Sequence, residues 1–441
     1  MRRTPLSVAV LVTALALSAA ACGDATPPVP SAAPDGAAFK PVKQAPGSTL
    51  TVWADSTRQP AVEAYRKAHP DVKIDLVTYS GQDTDLRTKI QLFDRSGSGW
   101  PDVVFSTSLT SASWTATGDQ PYAAPLDKGL LSKDTLSGFS KGALDPCTSG
   151  GTIRCLRNDV APTLLWYDKK LMDKWGYQVP TTWEEYQELG EKVAKEHPGY
   201  LVGSVDVAPN TYLWPSRCPA EGLTGPKEIH VDLSDPKCTR ATEMLDALLK
   251  AGSLTAESPW DASFAKKKAD KVLMMPGPTW YGQYLFAGPL KVPAERMAAA
   301  APLKWSDDDQ TYTGDYGGGV WIVSSHSRNL KGSADLVKWL TTDNSVQVVN
   351  PGFPAYAEAA KAWLVNPKNT SYFAGDVAPA FGQASGQIWP GWTDTTEFNV
   401  TELYKSTVLS KVTQGATITS LLPDLQKAIT DKATSLGYKV K

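Results

Sequence analysis

From about residue 48 onward, apolar positions fall into short alternating runs separated by longer stretches at helical spacing. Leu50-Thr-Val-Trp53 predicts a first strand. Pro60 to His69 places Val62, Ala64, Tyr65 and Ala68 on one helix face and stops at Pro70. Val72 to Thr78 alternates as a second strand. Asp83 to Phe93 reads as a helix, Ser96-Gly-Ser-Gly99 breaks it, and Pro101 to Phe105 predicts a third strand. The rhythm continues with a strand at Ala161 to Tyr167 and a helix at Asp168 to Trp175. Thr182-Trp-Glu-Glu185 is a capping box opening a helix that runs to Glu196. Strands follow at Leu201–Val207 and Lys271–Met275, with helices at Thr239–Ala251 and after Gly277-Pro278. A strand opens within Gly317–Ser324, a helix spans Leu330–Thr341, and the last hundred residues are mainly helical, ending with Leu421–Leu436. Strands alternating with helices predict an α/β fold, and 441 residues exceed what one core usually holds, so two domains are expected.

The first 48 residues break this rhythm. Arg2 and Arg3 precede a run from Leu6 to Ala21 that is apolar except at Ser7, Thr13 and Ser18, and Ala19-Ala20-Ala21 leads into Cys22-Gly23. A short positive region, an apolar stretch and small residues describe a signal peptide over residues 1–21, too short for a spanning helix. A cysteine directly after the small residues resembles a bacterial lipobox, in which the thiol is lipidated; Ala19 stands where that pattern prefers Leu. Residues 22–48 are rich in Pro, Ala and Gly, which predicts an extended tether.

The formal net charge is −2, from 44 basic and 46 acidic residues, which argues against a nucleic-acid partner. Tryptophan is unusually abundant, 15 beside 16 Tyr and 10 Phe, suggesting ring faces used for contact as well as core. Besides Cys22 the chain carries Cys147, Cys155, Cys218 and Cys238, and export favours their pairing. Of the three pairings, Cys147–Cys155 with Cys218–Cys238 is favoured, because Gly150-Gly151 marks a hairpin turn midway between the first two. A four-thiolate metal site would need close CxxC-type pairs, which are absent, so neither metal nor cofactor is expected. No GxSxG, HExxH, Walker or dinucleotide motif occurs. Ser263-Phe-Ala-Lys266 and Ser327-Arg-Asn329 match fragments of a serine-enzyme pattern whose third element is missing, so no catalytic residue is assigned.

Several segments, in order, resemble the family 1 extracellular solute-binding proteins of ABC sugar importers. They are Leu50–Asp55, Ala64–Lys73, Gly97–Val104, Ala124–Asp127, Leu165–Lys170, Pro180–Tyr186, Val272–Trp280 and Gly317–Ser324, the last followed by a helix ending Lys338-Trp-Leu-Thr-Thr342. The resemblance implies two α/β lobes of the periplasmic-binding-protein type II fold, joined by a hinge, with solute held in the cleft between them. It places residues 49–158 and 303–350 in the first lobe, and 159–302 and 351–441 in the second. It implies a monomer, lipid-anchored on the outer face of a bacterial membrane, that passes a sugar to an ABC permease. A different polar solute and an exported glycoside hydrolase are the alternatives.

Sugars present C–H-rich faces and a rim of hydroxyls, suited to indoles and to carboxylates, amides and backbone groups. The resemblance then points to Asp55, to Ser106, Thr107 and Ser108 after the third strand, and to Asn158 and Asp159 at the entry to the second lobe. It adds Trp214, Trp280, Tyr281, Asp315, Tyr316, Gly317, Gly318, Trp389 and Trp392, with Trp280 the leading stacking platform. Trp166, Trp183 and Trp339 lie inside regular elements and are expected in the core. Cys22→Ser is expected to release the protein from membranes into the soluble fraction, a shift that fractionation and immunoblotting would detect.

Overall fold

A computed structural model describes residues 39–118, 120–218, 222–225, 227–389 and 396–441. The expected signal peptide, Cys22 and Trp392 lie outside these residues, as does most of the tether.

The first sheet has five strands in the order Ile74–Thr78, Leu50–Ala54, Val103–Ser106, Val320–Val323 and Leu156–Arg157. The first three run parallel, and Val320–Val323 lies antiparallel to both of its neighbours. A strand drawn from more than 200 residues later therefore completes the sheet begun at Leu50. Helices Gln59–Ala68, Asp83–Ser96 and Leu330–Thr342 connect and cover these strands. The alternating run read at residues 50–54 buries Leu50, Val52 and Ala54 completely. Helix Asp83–Ser96 overruns its expected end and stops at Gly97, whose φ of +69° only glycine adopts without strain.

A second sheet pairs Thr163–Asp168 antiparallel with Met274–Pro278 on one side and with Met297–Ala300 on the other. Beside it lies a helical layer built from Trp183–Glu196, Pro236–Ala251 and Leu422–Ser435. Its core gathers Trp183, Tyr186, Tyr212, Trp214, Leu245 and Leu425. The capping box forms as the sequence implies. Thr182 Oγ1 accepts from the Glu185 N–H at 3.1 Å, and the Glu185 carboxylate accepts from the Thr182 N–H at 3.3 Å. The strand expected at 201–207 shrinks to Gly203–Ser204, because Ser204 Oγ accepts from the Asp206 N–H and folds the chain into a turn. The helix expected after Gly277-Pro278 appears as a π-helical turn, Gly282–Phe286. Trp166 and Trp183 are buried as expected, while Trp339 is half-buried against Tyr65. Disulfides join Cys147 to Cys155 and Cys218 to Cys238, both as expected.

Between the sheets the chain crosses in three adjacent segments. The stretch 158–163 lies between 314–319 and 353–355. The amides of Asn158, Asp159 and Thr163 donate to the carbonyls of Gly319, Gly318 and Gly314, and the Val160 amide donates to Phe353. Arg157 and Asp315 lock this crossing. The guanidinium meets the carboxylate through two hydrogen bonds of 2.5 and 3.0 Å, and both side chains are 1% exposed. A third Arg157 N–H reaches the Gly317 carbonyl at 2.9 Å, and the Ala161 amide donates to Asp315 at 3.0 Å. Breaking a buried pair by removing one partner leaves an uncompensated charge, so Arg157→Ala is expected to cost about 3–5 kcal/mol of stability in urea unfolding. A loss under about 1 kcal/mol would show that the crossing does not depend on the pair.

Candidate functional site

The C-terminal end of strand Leu50–Ala54 places Asp55, buried, just before helix Gln59–Ala68. Its Oδ1 accepts from the Thr57 and Arg58 amides at 2.9 and 3.0 Å, which holds the start of the following helix. Its Oδ2 lies 3.5 Å from Arg58 Nη1. The Arg58 guanidinium lies over the Phe105 ring at 4.4 Å, and its Nη2 faces Asp159 Oδ1 at 3.8 Å. These separations exceed hydrogen-bond length, and Arg58 Nε is buried without a partner. A guanidinium seated on a ring between two carboxylates, with its Nε–H unspent, is able to donate to an oxygen-rich guest.

The other wall is aromatic. Trp280 donates its Nε1–H to the Tyr316 carbonyl at 2.7 Å, which fixes the indole plane. Around it stand Trp260 at 5.7 Å, Tyr316 at 6.0 Å, Tyr281 at 4.9 Å and Tyr284 at 6.4 Å between ring centroids. Trp260 is 42% exposed, an open indole face beside half-buried Trp280. Burial pushes the Tyr284 hydroxyl up to about 12, with the Asp159 and Asp55 carboxylates adding to the shift and Arg58 opposing it. The two walls therefore meet at Arg58, Asp159 and Tyr284.

The glycine run allows this approach. At Gly318, with φ of +87°, a Cβ would collide with the Asp159 carbonyl and crowd Arg157 Nη2. At Gly317, with φ of +91°, it would press on Trp280 Nε1 at 3.3 Å.

The structure thus brings Asp55 and Asp159 to Arg58, and Tyr316 and Gly317 to Trp280, with Gly318 against Asp159 and Tyr281 buried beside Trp280. Other expected residues are engaged in the scaffold. Ser106 bonds Ser111 at 2.7 Å, Thr107 donates to the Gly81 carbonyl at 3.0 Å, and Ser108 caps helix Leu109–Thr115. Asn158 donates to Asp159 at 2.6 Å and accepts from Trp321 at 3.1 Å. Asp315 is held by Arg157. Trp214 is buried in the helical core, and half-buried Trp389 stands 6.5 Å from it. Arg58, Trp260 and Tyr284 were not among the expected residues. Pro259-Trp260 carried the same signal, an aromatic in a proline-containing loop, that singled out Trp389 and Trp392. The sequence carries no comparable signal at Tyr284 or Arg58. Among the described residues, no group of three or more His, Cys, Asp or Glu side chains is placed to hold a metal.

The model of the bacterial extracellular solute-binding proteins matches residues 47–347. The chain belongs to that family. Its structure is similar to the galacto-N-biose/lacto-N-biose I-binding protein of an ABC transporter from Bifidobacterium longum, solved with lacto-N-biose. The TM-score is 0.74 at 19% identity, covering 89% of this chain and 98% of that one. A binding protein from B. animalis subsp. lactis, solved with β-1,6-galactobiose, gives 0.72 at 19% identity, covering 89% and 99%. In sequence, an uncharacterised ABC transporter extracellular-binding protein of Pyrococcus horikoshii is 26% identical over 214 residues, 46% of this chain; the match spans 48% of that relative, about half its length. The fold is the two-lobed type II arrangement of this family. Among the described residues, no helix of this solute-binding protein is long and apolar enough to cross a membrane.

Burial raises the Asp159 carboxyl above the usual carboxylate range, against the pull of Arg58 and the Asn158 amide. The folded protein therefore holds this proton more tightly than the unfolded chain, so the group's stabilising contribution fades as pH rises through the folded pKa. The stability of Asp159→Asn relative to the parent is expected to increase from about pH 4 to about pH 7. A thermal-melt difference that is flat across that range would contradict it.

Proposed function

We propose that this protein is the solute receptor of an ABC importer and that its solute is a carbohydrate, an oligosaccharide rather than a single sugar. The observation that carries the reading is the aromatic wall of Trp260, Trp280 and Tyr316 facing Asp55, Arg58 and Asp159. Indole and phenol faces suit the C–H surfaces of pyranose rings, and the charged groups suit their hydroxyls. Trp260 and Trp280 stand side by side at 5.7 Å, giving a platform wider than one indole. The structural neighbours from Bifidobacterium longum and B. animalis were solved with disaccharides, which agrees with that width. Two carboxylates stand against one guanidinium in the gap, which disfavours a phosphodiester or another anion.

In this reading the lobes divide near the crossing segments. The first lobe takes residues 49–158 with a return from about 316 to 350; the second takes 159–315 and 351–441. Residues 303–312 go with the second lobe, because Lys304 bridges to Thr182, Trp305 bonds Ser216 at 2.9 Å, and Asp308 pairs with Arg217 and Arg240. Cys22 carries the lipid anchor, and the tether leaves a monomeric receptor free to meet its permease.

Isothermal titration against lacto-N-biose, β-1,6-galactobiose, maltose and longer oligomers tests the reading, with product analysis of the same mixtures. Binding without cleavage supports it; cleavage would favour the hydrolase alternative, and silence across the panel would favour a different polar solute. Trp280→Ala is expected to weaken the best sugar about 10- to 100-fold, the equivalent of ~1.5–3 kcal/mol of apolar contact, with an unchanged circular dichroism spectrum. Unaltered affinity would remove Trp280 from the site.

A further inference from the structure

The two lobes also touch away from the crossing segments. Helix Asp83–Ser96 covers the first sheet, and its Leu86 and Ile90 pack with Val104, Leu109 and Ile322. Phe398 and Tyr438 belong to the helical core of the second lobe. Between these separate cores, Arg87 Nη2 donates to the Glu397 carbonyl at 2.8 Å, across 310 residues of chain.

Both halves of this contact are built. On the first lobe the Arg87 guanidinium lies over the Trp114 ring at 4.8 Å, with Asp83 Oδ2 at 3.7 Å from Nη2. Asp83 is itself fixed, since its Oδ1 accepts from Trp114 Nε1 at 2.7 Å and from Ser111 Oγ at 2.5 Å. On the second lobe the Glu397 carboxylate pairs with Lys227 at 2.5 Å, and its backbone amide is held in place by donating to the Tyr438 hydroxyl at 3.1 Å. Lys227 in turn sits over the Tyr438 ring at 4.7 Å. A pre-positioned guanidinium thus meets a pre-positioned carbonyl, and little side-chain freedom is lost when they join.

We propose that Arg87 is a closure latch: its bond to the Glu397 carbonyl forms only when the lobes shut, and it sets how far the solute-free protein populates the closed state. Lobes that swing about a hinge separate most at the edge away from it. A contact present in one state and absent in the other shifts the balance by its own free energy, whatever the solute. Arg87 acts here as a positioning residue; the binding wall of Trp260, Trp280 and Arg58 is left as it is. The latch explains why a partly exposed arginine is held by a ring and a doubly bonded aspartate instead of being left to solvent.

The test needs no solute, so its failure is separate from any failure of the sugar reading. Nitroxide labels on Leu92→Cys and Ser406→Cys, both exposed and flanking the contact, report the gap by pulsed electron resonance in protein carrying Cys22→Ser. Arg87→Ala is expected to move the distance distribution outward, lowering the ratio of closed to open molecules about three- to tenfold, with Arg87→Lys intermediate. Arg87→Gln, which keeps the side-chain stem over Trp114, guards against a packing effect and is expected to open the gap as Arg87→Ala does. An unchanged distribution in Arg87→Ala and Arg87→Gln, with native circular dichroism, would overturn the latch.

Discussion

One guanidinium and one carboxylate, each 1% exposed, hold the place where the chain passes between its two sheets. Taking both charges out of water is costly, and their attraction offsets that cost only with good geometry and further hydrogen bonds. Both conditions are met: two side-chain bonds join Arg157 to Asp315, the Gly317 carbonyl takes another donor, and the Ala161 amide fills an Asp315 lone pair. The pair ties residue 157 to residue 315 and so fixes the register of 158–163 against 314–319. Asp159, Tyr316, Gly317 and Gly318 all hang from those few residues.

The site inherits its shape from that tie. Gly318 lies against the Asp159 carbonyl and Gly317 against Trp280, so the aromatic wall and the carboxylate are set by the same strand pairing. Arg58, at the start of helix Gln59–Ala68, then meets Asp159, and Tyr284, beyond strand Met274–Pro278, stands near both. Groups carried by elements of both sheets converge, and a guest that touched them all would favour one relative position of those elements over another. The desolvation that raises Asp159 is a stability cost retained at the gap, as is common where charged groups await a partner.

Much of this was legible in the chain. Alternation located the strands Leu50–Ala54 and Ile74–Thr78, the capping box located a helix to the residue, and Gly150-Gly151 announced the Cys147–Cys155 hairpin. These signals are local: they rest on side-chain period, an N-cap or a turn, and no distant partner is needed. The candidate site was legible in part. Asp55, Asp159, Trp280 and Tyr316 come together, whereas Ser106, Ser108, Asn158 and Asp315 are taken up by caps and buried bonds. A cap and a binding group use the same residue types at the same strand ends, so sequence could not separate them.

By itself the sequence determined an α/β chain with two disulfides and a supply of aromatic rings, because each of these is written in spacing or composition. Only the tertiary structure decided which rings face the gap. Trp214 went into the core and Trp260 into the open, although both stand beside prolines. It also decided that Arg58 faces Asp159 across 101 residues of chain, and that Trp305 and Asp308 are tied to Ser216 and Arg217. The physical reason is that exposure depends on what the rest of the chain brings to a face. In this fold, that means strands and segments more than 100 residues away.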